Sequence, residues 1–223
     1  MFNESTLAFL KQLAKNNNKT WFDAHRPAYT AAKNDFEKFV SGVISALASV
    51  DNDVKDLEVK DCTFRLNRDI RFSKDKTPYK INMGASFNRG GKKSIFAGYY
   101  FHLEPGGKSF AGGGLWMPMA PELRKIRQEI DYCFEEFQNI ITEKNFKAQY
   151  KALENTSDIK LSNVPRGYDK ENEAAEFLKL KSFLATKNIS DKELLQPSLL
   201  RETVKSFTAL MPLIKFLNKA LEA

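Results

Sequence analysis

FRLNRDIRFSKDKTPYK, residues 64–80, is the stretch at which the residue pattern of this 223-residue chain changes. Before it, apolar residues recur at the three- and four-residue spacing of helices. Within it, Phe64, Leu66, Ile70 and Phe72 alternate with polar residues, which is typical of a strand with one buried face. The stretch therefore predicts where a sheet begins.

The positive charge of the protein is concentrated in residues 64–93. Nine basic and two acidic residues lie there, and their difference of +7 equals the formal net charge of the whole chain. Elsewhere, 26 basic and 26 acidic residues cancel. This focus favours an anionic partner, either a small ligand, a nucleic acid or an acidic surface. A solvated basic edge that only aids solubility is the alternative.

Helices and turns are predicted on both sides of this stretch. Apolar periodicity, capping residues and prolines mark the helices, and glycine-rich turns separate the strands. The predicted helices cover about 5–15, 27–48, 118–141, 174–178 and 197–221, with irregular chain at 145–172. The predicted strands are 64–72, 79–87, 95–104 and 109–116, with a further strand at 182–187.

These elements predict an α+β fold, because an antiparallel sheet lies between N-terminal and C-terminal helices in the chain. We expect four to six strands, with a central meander at about 63–116. A length of 223 residues suits one domain. Its helical part would span 1–50, the sheet 62–117, and a mainly helical part 118–223.

Composition argues against several classes of protein. The hydrophobic content of 42% is that of a globular chain. No apolar run approaches the ~20 residues of a membrane span, and no signal peptide is expected. Cys62 and Cys133 have no zinc or disulfide spacing, so we expect buried free thiols in a cytoplasmic protein. We predict no metal site, no cofactor and no membrane association.

The polar face of the predicted sheet carries the candidate catalytic residues. If the strands keep register, His102 and Glu104 lie on the same face as Lys80 and Asn82. His102 could act as a general base oriented by Glu104, and Asp69 could also handle protons. A purely structural role for His102 is the alternative.

Basic side chains on this face predict a site for an anion, because an arginine fork holds a phosphate or carboxylate with two hydrogen bonds. The glycines at 112–114 would leave a bare surface beside them. The candidate ligand-binding residues are Arg65, Arg68, Arg71, Lys76, Lys80, Tyr100, Gly113 and Trp116.

Each of these features has a structural alternative. Arg65, Arg68 and Arg71 are three residues apart and cannot all share one face of a regular strand. At least one of them is therefore expected to pair with an acid such as Asp69 or Asp75. The glycines of the fourth strand would equally suit close packing of neighbouring helices.

The sequence also resembles a known family. The motif residues are RLNRDIRFSKDKTPYK at 65–80, GYY at 98–100, EPGG at 104–107, GGGLW at 112–116, LRKIR at 123–127 and PRGYD at 165–169. They are similar to the conserved hypothetical proteins of bacteria and fungi described as domain of unknown function 2461. The resemblance implies a single α+β domain in a cytoplasmic protein, and it implies no reaction, cofactor or catalytic residue.

Three functions remain open from the sequence. A site for a small anionic ligand, with or without catalysis, is the leading hypothesis. A module that docks an acidic protein partner is the second. Nucleic-acid binding is the third, and the pattern argues against it because it assigns Phe64, Phe72, Tyr79 and Phe87 to the buried face.

Overall fold

Four antiparallel strands form one sheet in the computed structural model, which describes residues 1–222. The strand order is β1-β2-β3-β4, so the first three strands form a meander. Both the α+β class and the antiparallel sheet are confirmed. The strands are β1 (Met83–Asn88), β2 (Gly98–Leu103), β3 (Ser109–Leu115) and β4 (Phe183–Ile189).

Helices precede and follow the meander in the chain. Among residues 1–222, none of them combines the length and the apolarity that a bilayer crossing needs. Short 3-10 helices lie at Asn52–Val54 and Ser157–Ile159. The α-helices are α1 (Glu4–Lys15), α2 (Lys19–Ala24), α3 (Arg26–Leu47), α4 (Val59–Cys62), α5 (Ala120–Tyr132), α6 (Phe134–Thr142), α7 (Lys144–Tyr150), α8 (Ala175–Leu178), α9 (Asp191–Leu194) and α10 (Leu199–Glu222).

The predicted first strand, 64–72, is wrong. This segment makes two isolated bridges, Thr63 with Ala85 and Asn67 with Tyr79, and no continuous ladder. Pro78 is one reason why no ladder forms, because it has no amide hydrogen to donate. Its carbonyl accepts a hydrogen bond from the Arg68 amide at 2.9 Å. The strand predicted at 79–87 accordingly begins later, at the start of β1.

Several other boundaries also differ from the prediction. The apolar stripe at 123–141 forms two helices, α5 and α6, because Cys133 leaves helical geometry with φ −117° and ψ 38°. The region predicted as irregular begins with α7. Pro212 lies within α10, which continues through it. Both thiols are free, but only Cys62 is buried, while Cys133 is half-buried.

The chain divides into two compact units, so the prediction of a single domain stays a prediction. In the first unit, the Phe2 ring packs on Phe39 and Phe101, with ring centres 4.9 and 6.0 Å away. In the second, Tyr99 packs on Phe207 at 5.1 Å. The first comprises Met1–Lys92, Tyr100–Ala111 and Asn188–Lys205, and the second comprises Lys93–Tyr99, Gly112–Lys187 and the residues from Ser206 onward.

Glycines in β3 allow very close packing within the second unit. A β-carbon on Gly113 would lie 2.3 Å from the carbonyl oxygen of Gly98 and 3.0 Å from Leu210 of α10. Gly114 has φ +124°, in the region that favours glycine. The space beside Gly113 is therefore filled by a neighbouring strand and a helix, and it is not a bare surface.

Replacing Gly113 with alanine should destabilise the protein, because the added β-carbon would also lie 2.8 Å from the α-carbon of Tyr99. Overpacking of this kind costs at least about 1–3 kcal/mol, so we expect a lower midpoint in thermal denaturation. Gly42→Ala in α3 is the matched control, since the nearest atoms there, on Leu200, are 3.4 Å away. Equal losses in the two variants would contradict the prediction.

Candidate functional site

A small cavity of about 150 Å³ opens beside β1 and β2 in the first unit. The irregular segment that follows α4 supplies two of its side chains. Two more come from the residues just before β1, and the strands supply the remaining two. The lining residues are Phe64, Arg65, Lys80, Asn82, Gly84 and Tyr100.

Backbone hydrogen bonds hold the irregular segment in place beside β1. The Phe64 amide donates to the Gly84 carbonyl at 3.1 Å, and the Lys80 amide donates to the Leu66 carbonyl at 2.8 Å. The Leu66 side chain is buried, which anchors this part of the segment. Phe64 remains 40% exposed, although its place in the alternating pattern predicts burial.

Arg65 and Lys80 bring two positive charges to the cavity. Within residues 1–222, neither side chain forms an ion pair with a carboxylate. Burial lowers the pKa of Lys80, and the charge of Arg65 lowers that pKa further. The Lys80 ammonium lies 5.5 Å from the centre of the Phe64 ring. Hydrogen bonds from Arg71 and the charge of Arg65 lower the pKa of Asp69, but neither cavity cation forms an ion pair in the described chain, and two neighbouring cations of this kind suit an anion.

A series of three hydrogen-bonding side chains leads away from the cavity along β2. The Tyr100 hydroxyl lies 3.4 Å from Nδ1 of His102, and Nε2 of His102 lies 3.1 Å from Oε2 of Glu104. The side chains of His102 and Glu104 are each 15% exposed. Phe110 stacks on the imidazole, with ring centres 4.9 Å apart and planes 10° apart. The histidine is therefore held in one orientation.

The hydrogen-bond partners assign the proton positions in this series. Glu104 also accepts from the ammonium of Lys108 at 3.2 Å, as an ionised carboxylate does. We therefore assign a hydrogen to Nε2 of His102, which donates to Glu104 and leaves Nδ1 as an acceptor. Burial raises the pKa of Tyr100, so its hydroxyl is protonated at neutral pH and can donate.

Gly84 makes room for the Tyr100 hydroxyl. A β-carbon at this position would lie 2.4 Å from that oxygen, so any larger residue would displace the tyrosine. The glycine in β1 and the tyrosine in β2 thus form the floor of the cavity together. Sequence reasoning missed Gly84, although a glycine within a strand is a recognised sign of close approach.

A comparison with protein families assigns the chain to a group. The model of a family described as conserved hypothetical protein (DUF2461) matches residues 5–216. The chain belongs to this DUF2461 family. Comparisons with curated proteins and with solved structures give no match.

The other arginines of the DUF2461 chain are engaged elsewhere. Arg68 donates to the Asp75 carboxylate and to the Thr77 hydroxyl. Arg71 pairs with Asp69 at 2.7 Å, and both side chains are largely exposed. Ion pairing was expected for at least one arginine, and the structure shows it for two. Asp69, a predicted catalytic residue, therefore neutralises Arg71 and does not line the cavity.

Three further predicted ligand-binding residues of the DUF2461 chain lie outside the cavity lining. The ammonium of Lys76 donates to the Ile70 carbonyl at 3.0 Å. Gly113 is buried within the second unit, and Trp116 of that unit is 62% exposed. Of the eight predicted ligand-binding residues, the cavity therefore brings together Arg65, Lys80 and Tyr100.

Asp75 organises the loop between Arg68 and Thr77. Its carboxylate accepts from the Thr77 amide at 2.9 Å and from the Arg68 guanidinium. These hydrogen bonds lower the pKa of Asp75 to about 2. Because the pKa of Asp75 is lowered in the folded state, its ionised carboxylate stabilises the loop at pH values above the ordinary pKa of 3.8, and this contribution is lost as the pH falls towards 2.

Replacing Asp75 with asparagine should loosen this loop at neutral pH. We expect trypsin to cleave after Arg71, Lys74 and Lys76 several-fold faster in Asp75→Asn than in the wild type, because the loop loses its ionic contacts. In the wild type, amide hydrogen exchange at 68–78 should rise, beyond its intrinsic pH dependence, as the pH falls from 4 to 2.

Asp69→Asn is the matched control for the proteolysis, because its partner Arg71 is 76% exposed, whereas Arg68, the partner of Asp75, is 25% exposed. Its cleavage rate should stay close to that of the wild type. Similar acceleration in both variants would show that Asp75 has no special role in the loop.

Proposed function

We propose that this protein binds a small anionic ligand, bearing a phosphate or a carboxylate, in the cavity of Arg65 and Lys80. The observation that carries the proposal is the pair of adjacent cations without a carboxylate partner among residues 1–222. The guanidinium and the ammonium would donate to the anion from two sides. Tyr100 supplies a neutral hydroxyl that could donate a third hydrogen bond.

The series of Tyr100, His102 and Glu104 supports a role in proton transfer at the same site. Nε2 of His102 carries a hydrogen and donates it to Glu104. Nδ1 is therefore free to accept a proton that is passed through the Tyr100 hydroxyl. In this proposal, His102 acts as the general base, Glu104 orients it, and Arg65 and Lys80 stabilise the negative charge. The geometry thus supports acid–base chemistry on a bound anion.

We also propose a cytoplasmic location. Cys62 and Cys133 are both free thiols, as is usual where glutathione and thioredoxin keep cysteines reduced. Burial raises the pKa of Cys62 to about 11, so its thiol is protonated at neutral pH and unreactive.

The double variant Arg65→Gln/Lys80→Gln should lose anion binding. Isothermal titration of the wild type with inorganic phosphate, and in parallel with acetate, should detect binding of at least one of the two anions at low salt. In the double variant, we expect at least a tenfold weaker affinity, because both charged donors are gone.

Arg71→Gln/Lys76→Gln is the matched control, with the same change in net charge on residues outside the cavity. It should retain wild-type affinity within about twofold, because exposed charges at a distance are screened by salt. The proposal fails if neither anion binds the wild type, or if the two double variants lose the same affinity.

Nucleic-acid binding is the second candidate, because two of the four aromatic residues that were expected to be buried are exposed. The Phe72 side chain is 96% exposed, and the Arg71 guanidinium lies 5.9 Å from its ring centre. Phe64 is also exposed, while Tyr79 and Phe87 are buried as predicted. An exposed ring among cations is a feature on which the bases of a single strand stack. Docking of an acidic protein partner stays a prediction from the charge pattern alone.

We expect a fluorescently labelled oligothymidylate to bind at 50 mM salt and to bind much more weakly at 200 mM salt. Phe72→Ala should weaken binding at low salt roughly fivefold or more, since stacking contributes about 1–3 kcal/mol per base. Trp116→Ala, which removes another exposed ring, is the control and should change little. Binding that does not respond to salt or to Phe72→Ala would reject this second candidate.

A further inference from the structure

A second cavity lies beside the first within the same unit. Its volume is about 320 Å³. Phe64 and Arg65 line both cavities, so these two side chains lie between the two spaces. The other walls of the second cavity are largely apolar and include Tyr29, Phe36, Leu66 and Met83.

The charged side chains at the second cavity are already neutralised. Lys33 pairs with Glu37 at 3.4 Å, and both residues belong to α3. Lys60 pairs with Glu58 at 2.7 Å. Arg65 is therefore the one lining cation of this cavity without a carboxylate partner among residues 1–222, and it stands on the side shared with the first cavity. The lining cation without an ion pair therefore stands on the side of the second cavity that borders the first.

Aromatic side chains line part of the second cavity. Tyr29 is fixed by packing on Phe9 and Phe22, with ring centres 6.0 and 5.0 Å apart. Phe64, by contrast, is 40% exposed and contributes to both cavities. A ligand lying across the Phe64 ring would cover apolar surface that the protein itself leaves in water, which is a favourable source of binding energy.

We propose that the ligand is an organic anion with an aromatic body. Its phosphate or carboxylate occupies the first cavity at Arg65 and Lys80, and its ring occupies the second cavity against Phe64 and Tyr29. A volume of about 320 Å³ is at the lower end of small-molecule pockets and accommodates one or two rings. This inference rests on the proposed function, because it takes the first cavity as the anion site.

The test compares simple anions with their aromatic counterparts on the full chain. Isothermal titration would measure the affinities of inorganic phosphate and phenyl phosphate, and of acetate and benzoate. For the head group that binds, the aromatic compound should bind about tenfold more tightly, because its ring leaves water. The two pairs of compounds distinguish a phosphate site from a carboxylate site.

The position of the ring is measured on the wild-type protein. With methyl-labelled methionine, nuclear Overhauser effects should connect the phenyl protons to the methyl group of Met83, which lines the second cavity. Tyr29→Leu should reduce the advantage of the aromatic compound at least threefold and leave the affinity for the simple anion unchanged. Tyr132→Leu is the matched control, because Tyr132 is 75% exposed and lines neither cavity.

The outcomes separate this inference from the proposed function. If a simple anion binds and the Arg65→Gln/Lys80→Gln variant loses it, the anion site stands. If the aromatic compound then binds less than threefold more tightly than the simple anion, or shows no nuclear Overhauser effect to Met83, only the inference of a ligand that spans both cavities is overturned. If no simple anion binds, or the double variant binds as the wild type does, the proposed function is overturned and this inference with it.

Discussion

Arg65 and Lys80 lie at one small cavity without a carboxylate to neutralise either of them, and the properties of the site follow from this constraint. Like charges at short range raise each other's free energy, and the lowered pKa of Lys80 reflects that repulsion together with burial. A protein retains such an arrangement at a cost in stability. An anion bound between the two cations, as proposed above, would offset this repulsion.

The two other arginines of the same segment form ion pairs, unlike Arg65. Arg68 and Arg71 belong to the same run of residues, and each has an aspartate within reach. Arg68 uses its partner, Asp75, to close a loop, and Arg71 is neutralised beside it by Asp69. Both aspartates of the segment are thus engaged in ion pairs. Arg65, three residues earlier, forms no ion pair among residues 1–222 and has only a longer-range interaction with Asp69, and the buried side chain of Leu66 anchors the chain next to it.

Much of this site could be predicted from sequence because a strand places alternate residues on one face. That rule relates Tyr100 and His102 correctly, since both lie in β2, and it extends to Glu104, which directly follows the strand. It fails for Phe64, which the alternating pattern places in the core, because the segment after residue 63 is not a strand. Two features oppose a strand here: Pro78 has no amide hydrogen to complete the ladder, and the Arg68 side chain bonds to Asp75 and Thr77 in the following loop. Close approach between strands, as at Gly84, also depends on three-dimensional packing that a single sequence does not show.

The cavity cannot supply its own counter-charge. Asn82, Phe64 and Gly84 are uncharged, and burial raises the pKa of Tyr100, which keeps its hydroxyl protonated. The nearest carboxylate along β2, that of Glu104, is engaged by His102 and Lys108. Loss of the Tyr100 proton would not supply this charge at neutral pH, because the hydroxyl would have to ionise in a buried position. None of the described residues that line the cavity therefore carries a negative charge to balance Arg65 and Lys80, which is the basis of the proposed anion site.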